Sequence, residues 1–146
     1  MRYIRTEIQI NASPEKIWHI LTDFSNYTKW NPFIQQIEGD AIVGAKLKVH
    51  LHTSGGKNRI YKPTVTKIEP NRELRWYGKA FVPGIFNGER IFSMEPLESH
   101  LTHFVHTEVF TGLGVALTSS NMEKDIRRSL EEMNSALKAK VERSSD

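Results

Sequence analysis

Cysteine is absent from the 146 residues of this sequence. Disulfide bonds, thiolate nucleophiles and cysteine-ligated zinc or iron–sulfur centres are therefore excluded. The sequence also lacks any apolar run of the roughly 20 residues that a membrane-spanning helix needs. Its first residues, Met1–Glu7, have no apolar core of the kind found in signal peptides. We therefore expect a cytoplasmic protein without integral membrane association.

Charge is nearly balanced overall, with a formal net charge of +3, but it is unevenly distributed. The stretch from Lys46 to Lys79 holds nine basic and only two acidic residues. Such a stretch suits nucleic acid, an anionic membrane or an acidic partner. Because no nucleic-acid-binding motif accompanies it, we expect no nucleic-acid partner and interpret the lysines and arginines as the solvated outer face of a sheet.

The length fits one domain spanning residues 1–146, and the hydrophobic content of 38% is sufficient for a buried core. Alternating residues from Tyr3 to Asn11 predict a first strand. Ser13 followed by Pro14 is typical of a helix start, and a second short helical segment is predicted to end before Pro32.

Period-two alternation follows over most of the next 80 or so residues and predicts about six strands joined by short turns. Beyond Gly114 the period becomes helical, from about Val115 onward. One apolar stripe runs along this helix through Met122, Ile126, Leu130, Met133, Leu137 and Val141. The prediction is an α+β protein in which a curved antiparallel sheet of about seven strands, in the order β-α-α-β6-α, wraps around a long C-terminal helix.

Five segments carry a resemblance to a known superfamily: the helix start 12–18, the aromatic segment 27–33, the strand segments 88–92 and 102–112, and the helical segment 133–138. The chain resembles the START-related SRPBCC superfamily with the helix-grip fold, in its small bacterial polyketide cyclase/dehydrase-like branch. The resemblance covers nearly the whole chain and implies a deep cavity for a hydrophobic molecule. The superfamily's ring-hydroxylating oxygenases hold iron with two histidines and a carboxylate; no equivalent set is evident here, so we expect neither a cofactor nor a metal.

Polar residues on the predicted strand 101–111 are the leading candidates for a binding site. His106 and Glu108 share a face with Phe104 and Phe110, so we expect that face to point inward. Arg90 is in phase with this face on the preceding strand and is placed to pair with Glu108. The three residues either orient the polar end of a ligand or satisfy one another as a buried network. In the opposite register, the valines would face inward and the charges would be solvated.

Aromatic residues form the second candidate set, as a cavity lining or as a filled core. They are Trp30, Phe33, Trp76, Phe81, Phe86, Phe92, Phe104 and Phe110. The apolar Gly/Pro loop between Phe81 and Phe86 suggests a lid over the cavity, and Met122 is a flexible lining residue. His50 and His52 have the spacing of a metal-binding pair, but Lys46 and Lys48 on the same strand face disfavour a cation.

Three hypotheses for function follow, in decreasing order of support. The first is a protein that binds a small hydrophobic molecule, lipid or polyketide-like, with Arg90, His106 and Glu108 at its polar end. The second is a cyclase or dehydratase that uses His106 and Glu108 as acid and base. The third is an interaction module that uses the basic strands. The sequence leaves the ligand and the oligomeric state open.

Overall fold

The fold is given by a computed structural model, which describes residues 2–79, 87–112, 114–115 and 119–144. Eight strands, two α-helices and one 3-10 helix lie within these residues. In chain order they are β1 (Arg2–Ile10), α1 (Pro14–Thr22), the 3-10 helix (Phe24–Lys29), β2 (Ile34–Glu38), β3 (Lys48–His52), β4 (Asn58–Tyr61), β5 (Thr64–Glu69), β6 (Glu73–Lys79), β7 (Asn87–Glu98), β8 (Leu101–Thr111) and α2 (Ser120–Arg143).

Both α-helices begin at a serine cap. The Ser13 hydroxyl accepts from the backbone N–H of Lys16 at 3.3 Å, and Pro14 fills the first helical position, where an N–H is not needed. The Ser119 hydroxyl likewise accepts from the N–H of Met122 at 3.1 Å. The long helix therefore begins at Ser120, later than the predicted start near Val115.

The strands form two antiparallel sheets rather than one sheet of about seven strands. Five strands pair in the order β1-β8-β7-β6-β5, and three pair in the order β2-β3-β4. The sheets are tied together where residues 44–47 run beside residues 63–65, with Leu47 N–H donating to the Pro63 carbonyl at 2.8 Å. The helix-grip architecture is confirmed, and the strand count is corrected.

Pro63 lies between β4 and β5 and separates them. Proline has no N–H to donate to a strand ladder, so a continuous strand is interrupted there. The division folds β4 away from the five-stranded sheet and onto β3. The short strand β2 was not predicted, because its buried residues Ile34 and Ile37 are three positions apart and do not show the period of two that indicates a strand. Its ladder with β3 has a register shift between Ile34 and Gln36.

The core lies between the concave face of the larger sheet and α2. Leu130, Met133, Leu137 and Val141 of the predicted stripe are fully buried, while Ile126 packs at the margin of the core. Within the described ranges, no helix is both long enough and apolar enough to span a membrane. The apolar stripe thus packs the C-terminal part of α2 against the sheet, whereas the first turns of α2 lie at the edge of the core.

Candidate functional site

A cavity of about 660 Å³ lies at this edge, between the five-stranded sheet, the β3–β4 hairpin and the first turns of α2. Its volume is within the range of about 300–1,000 Å³ that is usual for small-molecule sites. Apolar side chains supply much of its described lining, namely Phe33, Leu51, Ile60, Phe110, Met122 and Ile126. The predicted lid with Phe81 and Phe86 lies outside the described residues.

Arg90 and Glu108 are placed side by side in this lining by the β7–β8 register, in which they are direct cross-strand partners. Only 3% of Arg90 and 5% of Glu108 is exposed. Arg90 Nη2 lies 2.8 Å from Glu108 Oε2, but the two groups are not aligned as a hydrogen bond. Among the described residues, Glu108 Oε2 and Arg90 Nε have no hydrogen-bond partner. The predicted ion pair and the inward direction of both side chains are confirmed.

Tyr61 completes what we call the inner polar end, together with Arg90 and Glu108. Its hydroxyl oxygen accepts from Trp76 Nε1 at 2.7 Å. Because the indole N–H is only a donor, this contact leaves the Tyr61 O–H as a donor for a further acceptor. Burial raises the pKa of Tyr61, with Arg90 opposing the rise, so the phenol keeps its proton.

His106 lies behind Arg90 and outside the described lining of the cavity. Its Nε2 is 2.8 Å from Arg90 Nη1, and its Nδ1 is 3.0 Å from Asn134 Oδ1. Because Arg90 is only a donor and the amide oxygen only an acceptor, Nε2 accepts and Nδ1 carries the hydrogen. Asn134 Nδ2 in turn donates to Thr6 Oγ1 at 2.9 Å. The predicted inward direction of His106 is confirmed, and both its ring nitrogens are engaged.

Burial sets the protonation of these groups. It lowers the pKa of His106 well below its ordinary value, and Arg90 lowers it further, so His106 is neutral at physiological pH. Burial raises the pKa of Glu108 to about 7, even though Arg90 acts in the opposite direction. The site therefore joins a permanent cation to a carboxyl group that changes charge near neutral pH.

Two glycines make room beside Glu108. A Cβ at Gly88 would lie 2.8 Å from Glu108 Oε1, and a Cβ at Gly78 would lie 2.9 Å from Pro63 Cα. Gly78 and Gly88 are cross-strand partners, and both line the cavity. A larger residue at either position would press on the carboxylate or on the turn before β5, so the paired glycines help to keep this end of the cavity open.

The predicted aromatic lining is divided between cavity and core. Phe33, Phe110 and Met122 lie in the lining, and the Phe33 ring centroid is 4.9 Å from Arg90 Cζ, a cation–π distance. Four others lie elsewhere: Trp76, Phe92 and Phe104 are fully buried in the core, and Trp30 lies in a surface depression beside α1.

Basic residues are the part of the site that the sequence interpretation missed. Lys46, Lys57, Arg59, Lys62 and Lys79 are exposed and line the cavity on its solvent side; we call these five the cationic rim. The interpretation as an outer sheet face is therefore corrected for them. The interpretation as a solvated outer face holds for Lys48, Lys67 and Arg75 of the same basic stretch. These three residues lie outside the described lining and pair with glutamates. The sequence signal for this arrangement is Pro63, because the chain turns there and β4, with Arg59, lies over the cavity.

Histidine and carboxylate side chains do not converge elsewhere. In the described part of the chain, no group of three or more His, Asp or Glu side chains is arranged to hold a metal ion. His50 Nε2 is 3.3 Å from Glu38 Oε2, and His52 Nδ1 is 2.7 Å from Asn58 Oδ1. Both histidines of the pair considered for metal binding thus have partners on their own sheet.

A curved sheet that grips a C-terminal helix and leaves a cavity with a buried polar end defines a helix-grip protein. The sequence model of the family described as polyketide cyclase / dehydrase and lipid transport matches residues 1–142. The chain belongs to this family, as the resemblance implied. Among curated proteins, no relative matches the sequence.

Solved structures share the fold at low sequence identity. The Zhui aromatase/cyclase from Streptomyces superposes with a TM-score of 0.77 at 16% identity, over 97% of this chain and 94% of that one. A START superfamily protein from Mycobacterium smegmatis has a TM-score of 0.75 at 20% identity, over 96% and 97%. Such identities establish the common fold, while the residues of the site must be interpreted from this chain alone.

Proposed function

We propose that this protein binds a small hydrophobic molecule in the cavity and holds the polar group of that molecule at the inner polar end. Apolar ligand surface buried against Phe33, Phe110 and Met122 supplies most of the affinity, at roughly 25 cal/mol per Å² before ordering costs. A ligand oxygen accepts from Tyr61 O–H or Arg90 Nε–H. A ligand hydroxyl donates to Glu108 Oε2.

The observation that carries the proposal is the buried Arg90–Glu108 ion pair at the end of a largely apolar cavity, with two polar atoms that lack an aligned hydrogen-bond partner among the described residues. Buried polar atoms are nearly always hydrogen-bonded, and leaving one unpaired costs about 1–3 kcal/mol. Within the described ranges, Arg90 Nε and Glu108 Oε2 are buried without an aligned hydrogen-bond partner, although Arg90 Nη2 lies 2.8 Å from Oε2 as its ion-pair partner. A ligand that supplies an acceptor to Arg90 Nε or a donor to Glu108 Oε2 would complete their hydrogen bonding, which favours an oxygen-bearing molecule at this end of the cavity.

The first test is native mass spectrometry of the purified protein, followed by organic extraction and identification of any released compound. We expect one hydrophobic, oxygen-bearing molecule for each chain, or binding of such molecules from a lipid and polyketide panel. A protein that co-purifies with nothing and binds no member of the panel would overturn the proposal.

The polar-end assignment has a matched pair of variants. Glu108→Gln keeps the side-chain shape but gives a neutral amide, and we expect it to weaken binding of a hydroxylated ligand about tenfold at pH 8, where Glu108 is ionised. Glu89→Gln makes the same change one strand position from Arg90, on the opposite face of β7, where it does not line the cavity. Equal effects of the two variants would argue against the assignment.

A second candidate function is proton transfer by Glu108, as in a cyclase or dehydratase. It is favoured by the pKa of about 7 of a carboxyl group that faces the cavity, because an acid or base works best when its pKa is near the ambient pH. Glu108 would take the proton from a carbon between two carbonyls, and Tyr61 and Arg90 would stabilise the enolate oxygen. His106 would position Arg90 rather than act as the base, since both its nitrogens are engaged.

Hydrogen–deuterium exchange of a linear triketone tests this candidate. Catalysis predicts exchange well above the buffer rate at neutral pH, lost in Glu108→Gln and retained in Glu89→Gln. Exchange that is no faster than in buffer, or that survives Glu108→Gln unchanged, would exclude Glu108 as the catalytic base and leave the binding function.

A further inference from the structure

The cationic rim has an unusual charge environment. Among the residues that the structure describes, Lys46, Lys62 and Lys79 form no ion pair, whereas Lys48 and Lys67 on neighbouring strands lie 3.9 Å and 3.0 Å from glutamate oxygens. The same basic stretch of the chain thus carries two kinds of lysine. Those outside the cavity are neutralised by glutamates, and those at its solvent side are not.

Carboxylates are few in the described lining of the cavity, compared with the five basic residues of the rim. Asp125 is the only acidic residue besides Glu108 in the described lining. Its Oδ1 already accepts from the Ser54 hydroxyl at 2.9 Å and from the Gly55 N–H at 2.6 Å, and these bonds, with burial opposing them, keep its pKa low. In sequence, the internal segments 80–86, 113 and 116–118 contain no charged residue. An excess of positive charge therefore surrounds the solvent side of an apolar cavity.

We propose, building on the binding function above, that the ligand is an amphiphile with an anionic head group, a carboxylate or a phosphate, held by the cationic rim while its apolar chain enters the cavity. Lysine suits this role because its ammonium is a mobile point charge on a long apolar stem. Several such groups converge on one anion without needing a fixed geometry. The like charges repel one another in the empty site, and an anionic head group relieves that repulsion.

The two polar ends of the cavity then recognise different parts of one molecule. The inner polar end, with Glu108 and Arg90 already paired, suits a hydroxyl or carbonyl group and not a free acid, because a second carboxylate beside Glu108 would be repelled. The cationic rim suits the acid. The preferred ligand class is therefore a chain with an oxygen function deep in the cavity and an anionic group at the solvent side, such as a hydroxylated or oxo fatty acid.

Calorimetric titrations with decanoate, decyl phosphate and decanol test the head-group preference, because the three share one chain length. We expect both anions to bind wild-type protein about tenfold more tightly than decanol. In Lys46→Gln/Lys62→Gln this preference disappears and decanol binding is unchanged. In the matched variant Lys48→Gln/Lys67→Gln, which removes the same net charge from the same basic stretch but from outside the cavity, the preference is retained.

Three outcomes would overturn the inference. Equal binding of decanol and decanoate by wild-type protein would leave the binding function intact and remove the anionic head group. Equal losses in both double variants would assign the effect to net charge. Binding to phosphatidylglycerol vesicles without binding of monomeric decanoate would assign the lysines to a membrane surface. Failure to bind any of the three amphiphiles would instead contradict the binding function itself for chains of this length.

A competition titration with inorganic phosphate tests whether the cationic rim binds the head group of an amphiphile or a free inorganic anion. We expect inorganic phosphate at millimolar concentration to leave decanoate affinity nearly unchanged, because the chain supplies most of the binding. Competition by phosphate that is strong in wild-type protein and absent in Lys46→Gln/Lys62→Gln would instead show a site for the free anion, and the amphiphile assignment would be wrong.

Discussion

The inner polar end and the cationic rim lie on the same cavity, yet their charges are held in opposite ways. Arg90 and Glu108 are buried, fixed by cross-strand pairing and opposite in charge. Lys46 and Lys62 are exposed and have no ion pair among the described residues. The first region is part of the folded core, whereas the second contributes almost nothing to it.

The difference follows from the cost of removing charge from water. A buried charge loses its hydration and must be paired by the fold itself, so the inner polar end is assembled before any ligand arrives. An exposed lysine keeps its hydration and can wait for a partner from solution. Substitutions in the two regions should therefore separate stability from binding, and the predictions below are ordered from the largest expected effect on stability to the smallest.

The largest effect is expected for Arg90→Met. The substitution removes the partner of Glu108 and the donor to His106 Nε2, and breaking a buried ion pair typically costs about 3–5 kcal/mol. We expect a loss of this size in the free energy of unfolding at pH 8, measured by urea denaturation, and a smaller loss at pH 5, where Glu108 is protonated. Arg75→Met, at a partly exposed pair with Glu73, is the control and should cost less than about 1 kcal/mol.

If Arg90→Met and Arg75→Met proved equally mild, the inner polar end would not be part of the folded core. The contrast between the two regions would then be one of accessibility only. The pH dependence of the loss is the more specific readout, because a simple packing defect at Arg90 would cost the same at pH 5 and pH 8.

The second effect is the pH dependence of stability that Glu108 produces. Its pKa rises from the model-compound value of 4.5 to about 7 on folding, so its protonated form is the one that the folded state favours. The contribution is fully present below about pH 4.5 and is lost as the pH rises through about 7. At about 1.4 kcal/mol for each unit of pKa, the loss is roughly 3 kcal/mol as an upper bound.

Glu108→Gln isolates this contribution, since His106, Arg90 and Glu89 remain in both proteins. The free energy of unfolding of Glu108→Gln minus that of wild type should grow by up to about 3 kcal/mol between pH 4.5 and 8. A difference that stays flat over this range would mean that Glu108 titrates at an ordinary pH. Its carboxylate would then be better hydrated than the cavity geometry indicates.

The third effect is expected at Asn134, which joins α2 to the inner polar end through His106 and Thr6. Asn134→Ala leaves the His106 Nδ1–H without an acceptor in a buried position, which typically costs about 1–3 kcal/mol. Thermal denaturation should show the loss, and Asn58→Ala, at an exposed bond to His52, should cost much less. A loss confined to Asn134→Ala would identify the helix as the support that fixes His106 and, through it, Arg90.

The sequence predicts the direction in which a strand side chain points, but it does not predict where along the strand the cavity ends and the filled core begins. The alternation of Phe104, His106 and Glu108 predicted which way they point, because neighbouring residues of a strand face opposite sides. It did not separate cavity from core. Phe92 and Phe104 share the face of Arg90 and Glu108, but they lie farther along the strands, beneath the buried stripe of α2.

The cationic rim was harder to predict for a different reason. Periodicity assigns Lys46 and Lys48 to one solvated face, yet Lys46 lines the cavity and Lys48 pairs with Glu38. The distinction arises because residues 44–47 run beside 63–65 and because β4, which ends just before the turn at Pro63, lies over the cavity. Such long-range pairing is set by the assembled sheets and leaves no period in the sequence.

The smallest effect on stability is expected where the effect on binding is large. Lys46→Gln/Lys62→Gln removes two exposed charges, and surface substitutions of this kind usually change the free energy of unfolding by less than about 0.5 kcal/mol. Because the rim has an excess of positive charge, the change should be neutral or slightly stabilising in low salt, and added salt should raise the stability of wild type more than that of the variant. Urea denaturation at two salt concentrations, beside the decanoate titration, measures both properties on one protein. A large loss of stability would mean that the lysines have partners within the fold, and the rim would then belong with the inner polar end as a structural element. A neutral variant that no longer prefers anions would show that the chain keeps one set of charges for folding and another for its ligand.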